Sequence, residues 1–433
     1  MTEVLARLRP AELLVWSAAS AAELPAARQA VLGQLTTKSL PDLAFESQRT
    51  AHGPYRGALA CADVEAATAA LRKGRGLEGK YPAARRPVAF LLSGVGDQYP
   101  GMAAALYETE AVFRNAVDCC TSVLEAEGCD LRDLLIQPVE AAPERDLRSM
   151  MQARTVPQGP LATTRLGQPG TFVVEYALTE LIRSWGIEPA AMIGYSLGEY
   201  VAACVAGVMS LTDALRLVWW RAQRIEQLPP GGMLAVALPR DEITLWLGDD
   251  LDVAAVTSPY QTVIGGHAPA VSDVERRLTE AGVAFQRVGA HHGFHTRAMR
   301  PLGAELTEWI RTNVRLNDPA IPYISNVSGT WITAEDATDP GYWAKHLSQT
   351  VELMNGLGAL WQDVDPVAIE LGPGEGLSSY ARHHPACDRP RLARVQPSLA
   401  TAGQETTGLL TSLGRLWIAG LDIDWTRLKG VNS

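Results

Sequence analysis

Residues 188–207 read EPAAMIGYSLGEYVAACVAG. An apolar strand-like run enters Gly194-Tyr195-Ser196-Leu197-Gly198, and a second apolar run with helical character follows it. This is a G-x-S-x-G between a strand and a helix, the context a nucleophile elbow requires. The two glycines permit a tight turn. They leave the Ser196 hydroxyl at a helix N-terminus, where unpaired N–H groups and the helix dipole favour a developing oxyanion. A serine simply packed into a turn would give the same five letters, so the flanking elements carry the reading.

A serine nucleophile needs a base. Of eight histidines, His295 in HHGFHTRAM (291–299) stands out, because it follows a segment of different character at the point where the chain returns to the larger unit. That segment, 232–289, reads strand (GMLAVAL), short helix (RDEITLWLG), two strands (LDVAAVT, QTVIGGH), helix (APAVSDVERRLTEAG) and strand (VAFQRVG). The order βαββαβ is the ferredoxin-like split motif. A cleft between the two units would carry His295 on its rim; a surface or satisfied core histidine is the plainer alternative. Further on, Ser210 with Asp213 resembles a capping box, so a helix starts near 211. Ala214, Val218 and Ile225 recur at helical spacing, and Arg221 falls in the middle of that apolar face. A buried guanidinium needs a partner. An internal salt bridge and a carboxylate ligand are both open, and Arg is suited to a two-pronged grip on a carboxylate.

Upstream, VAFLLSG (88–94) reads as a buried strand running into the Gly-rich turn Ser93–Gln98. The turn lacks the Lys of a phosphate loop, but an oxyanion loop needs only backbone N–H groups and close approach. Residues 1–85 read as a small α/β unit: strand LLVWSA, helix ELPAARQAVLGQL, strand GALACA and helix DVEAATAALRKG ending at Gly74. GRGLEGKYPAARRP (74–87) carries a linker signal, and 135–168 reads as a long surface excursion. Helices follow over TFVVEYALTELIRSWG (171–186), about 211–228 and MRPLGAELTEWIRTNV (299–314), with strands near PYISNVSG and VAIELGPG and an ordered tail at LGRLWIAGLDIDW.

The chain's 433 residues suggest two or three packed units, and 47% hydrophobic content is ordinary for a globular protein. A net charge of −10 argues against nucleic acid as the main partner. No run of about 18 apolar residues predicts a membrane span. The N-terminus lacks a signal-peptide pattern, and six scattered cysteines without ligand spacing speak against structural zinc and for a reducing cytoplasm.

Taken together, these pieces resemble the malonyl-CoA:acyl-carrier-protein transacylase family, and specifically the acyltransferase domains of polyketide synthases. FLLSGVGDQYPGM (90–102), GQPGTFVVEYALTELIRSWGIEPAAMIGYSLGEYVAACVAGVMSLTDALRLVWWRAQ (167–223), GGMLAV, HGFH, ISNVSG, YWAKHL and IELGPGEGLSS follow in the family's order. The resemblance implies an α/β fold in four parts. Residues 1–85 would be a ketosynthase–acyltransferase linker-like α/β domain, and 86–231 with 296–400 an α/β-hydrolase-like large subdomain. Residues 232–295 would be a ferredoxin-like small subdomain, and 401–433 a C-terminal linker segment.

The resemblance also implies roles. Ser196 matches the nucleophile, His295 the base and Arg221 the arginine holding the acyl carboxylate. Backbone N–H groups of Val95 and Leu197 would form the oxyanion hole, Gln168 matches a pocket glutamine, and the carbonyl orienting the base lies near His346. Malonyl-CoA would be the substrate, with no tightly bound cofactor. An acyl carrier protein bearing phosphopantetheine and a neighbouring ketosynthase would be the partners, in antibiotic-type polyketide biosynthesis. Three positions depart from the family pattern: Tyr195 in place of His, Val95 in place of Gln, and Ser348 where many relatives have Arg. The first two of these variants suggest an iterative synthase of the enediyne type. Phe294 in His-Gly-Phe-His resembles the malonyl-selective signature, since a bulky ring there would crowd an α-methyl. A proofreading acyl hydrolase of the same fold and a non-catalytic docking module are the rival readings. Arg221 argues against the first and the intact Ser/His/Arg set against the second.

Overall fold

The computed structural model describes residues 9–82, 84–137 and 159–428. Three sheets organise it. The central one holds five parallel strands in the order β10-β5-β4-β11-β12, where β4 is Val88–Leu92, β5 Ala191–Gly194, β10 Tyr323–Ile324, β11 Val367–Pro373 and β12 Val395–Leu399. β4, β5 and β11 are apolar runs buried on both faces, as strands of a covered parallel sheet must be. The chain builds outward from β4 to β5 and β10, then crosses to β11 and β12 on the other side. That reversal makes β4 the switch point, and ligands of open α/β sheets bind outside the carboxyl ends of strands at such a point.

The second sheet is antiparallel, β7-β8-β6-β9, formed by β6 (Gly231–Val236), β7 (Leu251–Ser258), β8 (Gln261–His267) and β9 (Phe285–Val288). With the helix Ala268–Glu280 on it, this is the ferredoxin-like arrangement. Its own core is Leu234, Val236, Ile264, Val271, Val274 and Leu278. It enters after the helix Leu211–Glu226 and leaves directly into the His295 loop.

The third sheet is β1 (Glu12–Ala18), β2 (Tyr55–Cys61) and β3 (Leu77–Lys80), all antiparallel neighbours. β1 divides its side chains by the period of two. Leu14 and Trp16 pack with the helices Leu24–Gln34, Leu40–Thr50 and Val64–Arg72, while Leu13 and Val15 face the other way and join the main core.

Three sequence expectations change. The stretch 74–87 is not a simple linker, because Leu77–Lys80 pairs with β2. Its packing partner is the helix Glu405–Ala419: a Cβ on Gly79 would stand 2.6 Å from Ile418 Cγ2. That partner is more than 300 residues away, so local Gly and Pro content could not reveal it. The helix Leu40–Thr50, capped by Ser39 Oγ accepting from Asp42 N at 3.3 Å, has no counterpart in the sequence reading. Finally, the surface excursion is shorter than expected. Residues 138–158 lie outside the described set, but Thr164–Gln168 already belong to a helix running to Ser184. Pro169 removes one hydrogen bond from that helix, yet the helix persists because it is buried almost end to end.

Candidate active site

The elbow follows from packing. Ser196 has φ +54°, a left-handed conformation that a non-glycine residue adopts only under constraint. The glycines on either side are sterically required. A Cβ on Gly194 would lie 2.1 Å from Glu199 N, and one on Gly198 would lie 2.1 Å from Leu92 O. Side-chain hydrogen bonds hold the turn from outside: Asn326 Oδ1 accepts from Ser196 N at 2.7 Å, and Asn326 Nδ2 donates to Gly194 O at 2.6 Å.

His295 reaches the serine from the loop that follows β9. Its φ is also left-handed, +60°, and its backbone N–H donates to Leu347 O at 3.1 Å. Nε2 lies 2.7 Å from Ser196 Oγ, and Nδ1 lies 2.9 Å from His346 O. A carbonyl can only accept, so Nδ1 carries the proton and Nε2 presents its lone pair to the hydroxyl. Burial, the neighbouring His346 and then the Arg221 charge push the His295 pKa down to about 3, opposed by the hydrogen bond to the His346 carbonyl. The resting imidazole is therefore neutral, as a base must be.

Arg221 sits on the helix Leu211–Glu226, which Ser210 caps through its side chain (3.1 Å to Asp213 N). It is 2% exposed. Among the described residues no carboxylate lies within ion-pair distance of it, and its Nε and Nη1 have no hydrogen-bond partner. The Tyr200 ring lies under the guanidinium, 4.4 Å from centroid to Cζ. Of the two possibilities raised by its spacing, the internal salt bridge is thus not found there. A buried cation with open donors is costly unless something anionic arrives.

Val95 lies in the turn after β4, and Leu197 caps the elbow helix Gly198–Val205. The two loops touch: a Cβ on Gly94 would stand 2.2 Å from Tyr195 O and 3.5 Å from Leu197 N. Neither the Val95 nor the Leu197 amide has a hydrogen-bond partner among the described residues. Gln168 is buried on the helix Thr164–Ser184 with Oε1 unpaired. Phe294 is buried against the edge of the His292 ring, 6.1 Å between centroids, and His292 Nδ1 lies 3.3 Å from Thr164 Oγ1. Tyr195 is half-buried and meets Tyr380 edge-on at 6.2 Å. Ser348 turns its hydroxyl back to Ala344 O at 2.9 Å.

Sequence reasoning missed four supporting groups. Glu175 Oε1 accepts from Gly94 N at 2.7 Å and so holds the turn after β4; burial raises its pKa well above the carboxylate range. Glu199, Asn326 and Tyr342 join beneath the elbow. The available signal was a glutamate, Glu199, at the head of the apolar run 200–206. An acid there needs buried donors, but nothing local says which.

The acyl transferase domain family matches residues 89–382. The chain is similar to a subunit of the phenolphthiocerol/phthiocerol polyketide synthase of Mycobacterium tuberculosis, at 32% identity over 98% of this chain and 29% of that protein. It therefore spans less than a third of that relative's length. Among solved structures, the acyl transferase domain of SpnD in complex with 2-(pent-4-yn-1-yl)malonyl superimposes with a TM-score of 0.83 at 33% identity, over 95% of this chain and 97% of that one. The acyl transferase domain of ZmaA gives 0.86 at 30% identity over 99% of both.

Proposed function

Since the chain belongs to the acyl transferase domain family, we propose that it moves a malonyl unit from coenzyme A, through an ester on Ser196, to the phosphopantetheine thiol of an acyl carrier protein within a polyketide synthase. His295 Nε2 takes the hydroxyl proton as Ser196 Oγ attacks the thioester carbonyl. The oxyanion is held by the Val95 and Leu197 amides. The C–S bond breaks, and the coenzyme A thiolate takes the proton from the imidazolium, whose other N–H stays on the His346 carbonyl. In the second half the carrier thiol gives its proton to His295 and attacks the ester. Ser196 leaves and recovers that proton.

Arg221 supplies the open donors for the malonyl carboxylate. A bulky Phe294 beside the α-carbon would crowd an extra methyl, which favours malonyl over methylmalonyl. The α-carboxyacyl group in the SpnD complex supports the same substrate class. The observation that carries the reading is the Ser196–His295–His346 line beside a buried arginine with no carboxylate partner among the described residues. The three departures, Tyr195, Val95 and Ser348, belong to pocket shape in this reading: Val95 needs only its backbone N–H, and the Ser348 hydroxyl is spent on its own helix.

The test is intact-protein mass spectrometry after mixing the chain with malonyl-CoA and methylmalonyl-CoA in competition. Expected is a malonyl adduct that disappears in Ser196→Ala and passes to added carrier protein. Rapid release of free coenzyme A and malonate with no transfer would instead identify a hydrolase.

A further inference from the structure

Below the elbow lies a buried carboxylate that the mechanism above does not use. Glu199 is fully buried, the second residue of the elbow helix. Its Oε2 accepts from Asn326 N at 2.7 Å, and its Oε1 accepts from the Tyr342 hydroxyl, which also meets Ser325 Oγ at 2.6 Å. Each of these partners leads to one half of the reacting pair. Asn326 spans the elbow, bonding Ser196 N on one side and Gly194 O on the other. Tyr342 belongs to the helix Pro340–Ser348, whose His346 carbonyl fixes His295 Nδ1 and whose Leu347 carbonyl holds His295 N. The His346 ring itself stands 3.3 Å from Glu199 Oε2 without hydrogen-bond geometry.

From this geometry we infer that Glu199 is a positioning residue that sets the register of the Ser196 hydroxyl against the His295 ring, through Asn326 to the one and through Tyr342 to the other. The inference rests on the acyl-serine reading above. Its physical basis is that both Ser196 and His295 sit in left-handed backbone, so neither keeps its place by local preference. They come from opposite ends of a 99-residue separation and must meet at 2.7 Å. One carboxylate that accepts from both supports converts two independent fits into a single one. Ser196 N is also consumed by Asn326, which leaves the oxyanion to other amides.

The test measures single-turnover acylation of Ser196 by malonyl-CoA in wild type, Glu199→Gln, Asn326→Asp and Tyr342→Phe, each also in a His295→Ala background. Asn326→Asp keeps the acceptor for Ser196 N but loses the donor to Gly194 O. Misplacement of a reacting pair by about 1 Å costs on the order of 100-fold in rate. Glu199→Gln and Asn326→Asp are expected to slow acylation by about 10- to 100-fold, with the half-saturating malonyl-CoA concentration within about two-fold of wild type. In the His295→Ala background the same changes are expected to have little further effect, since residues that act as a unit are not additive. A merely structural role would lower the rate equally in both backgrounds, and that result overturns the inference. So does an unchanged acylation rate, or an effect confined to half-saturation. Tyr342→Phe removes one hydroxyl only and decides the matter if Glu199→Gln fails to fold. A wild-type chain that never takes up malonyl mass sinks the functional reading and this inference with it; a wild type that loads beside fully active variants sinks the inference alone.

Discussion

Arg221 is held in the core with no counter-charge among the described residues, a state that costs stability and is useful only if an anion completes it. Arg221→Met keeps the volume and removes the charge. It is expected to raise stability in chemical denaturation by about 1–3 kcal/mol while cutting malonyl loading by at least about 10-fold. A less stable variant, or one that loads normally, contradicts that account. His295 gives a second residue-scale expectation. Its pKa lies below the ordinary histidine value, chiefly through burial. The unfolded chain therefore takes up a proton below about pH 6.5 that the folded state refuses. This residue's effect on stability is flat above that pH and becomes unfavourable as pH falls from about 6.5 toward about 3. The acylation rate should show no inflection near pH 6.5, and a clear one there would mean the base titrates normally. At Phe294, replacement by Ser opens space at the α-carbon. The malonyl-to-methylmalonyl ratio in a competition assay should fall by about 10-fold, within the range one methyl commands; an unchanged ratio would remove the steric account.

At the scale of the element, the elbow works because strand, turn and helix approach one another too closely for any side chain at the two glycines. Gly198 faces the last carbonyl of β4, and the helix could not start where it does if a methyl group intervened. Gly198→Ala is expected to cost about 3 kcal/mol or more in urea denaturation, at the upper end of overpacking effects, because the obstacle is backbone. A loss below about 1 kcal/mol would show that the elbow can relax. The helix Leu211–Glu226 illustrates the opposite case, an element whose ends and buried face are set locally. Ser210 caps it, and Ala214, Val218, Arg221 and Ile225 share its buried face, as their spacing predicts. The helix Thr164–Ser184 begins seven residues before the apolar run that announced it. Its first turns carry Gly167, Gln168, Pro169 and Gly170, a stretch rich in poor helix formers that is held by the Thr163 cap (3.3 Å to Leu166 N) and by burial against Leu161 and Leu135.

Over the whole molecule, the helix Glu405–Ala419 has a role that a trailing linker segment would not have. It packs on β2 and β3 of the N-terminal sheet and on β12 of the central sheet, with Gly414 drawn so close that a Cβ would be 2.9 Å from Ala58 Cβ. Leu409, Leu413, Leu416 and Trp417 are buried there. Arg56 reinforces the junction, stacked between the Tyr81 and Trp417 rings at 3.6 and 4.4 Å. A chain ending at residue 400 would bare apolar surface on two sheets at once, and it should aggregate on size-exclusion chromatography. A monodisperse truncated protein with an unchanged melting midpoint would show that the N-terminal sheet stands independently. The active site depends on the same long-range assembly: the central sheet supplies Ser196 and the oxyanion loop, the ferredoxin-like unit delivers His295, and Pro340–Ser348 supplies the carbonyl behind it.

The amino-acid sequence by itself determined the elbow, the ferredoxin-like insertion and the buried place of Arg221. Each is encoded within about twenty to sixty consecutive residues, by glycine placement, strand and helix periodicity and a cap. It did not determine that Leu77–Lys80 is a strand, that Arg221 would have no carboxylate at hand among the described residues, or that Asn326, Glu199 and Tyr342 meet under the nucleophile. Those were decided by tertiary structure, because each depends on which distant segments folding brings together and which it keeps apart. A polar side chain carries no local mark of the partner that folding will bring to it.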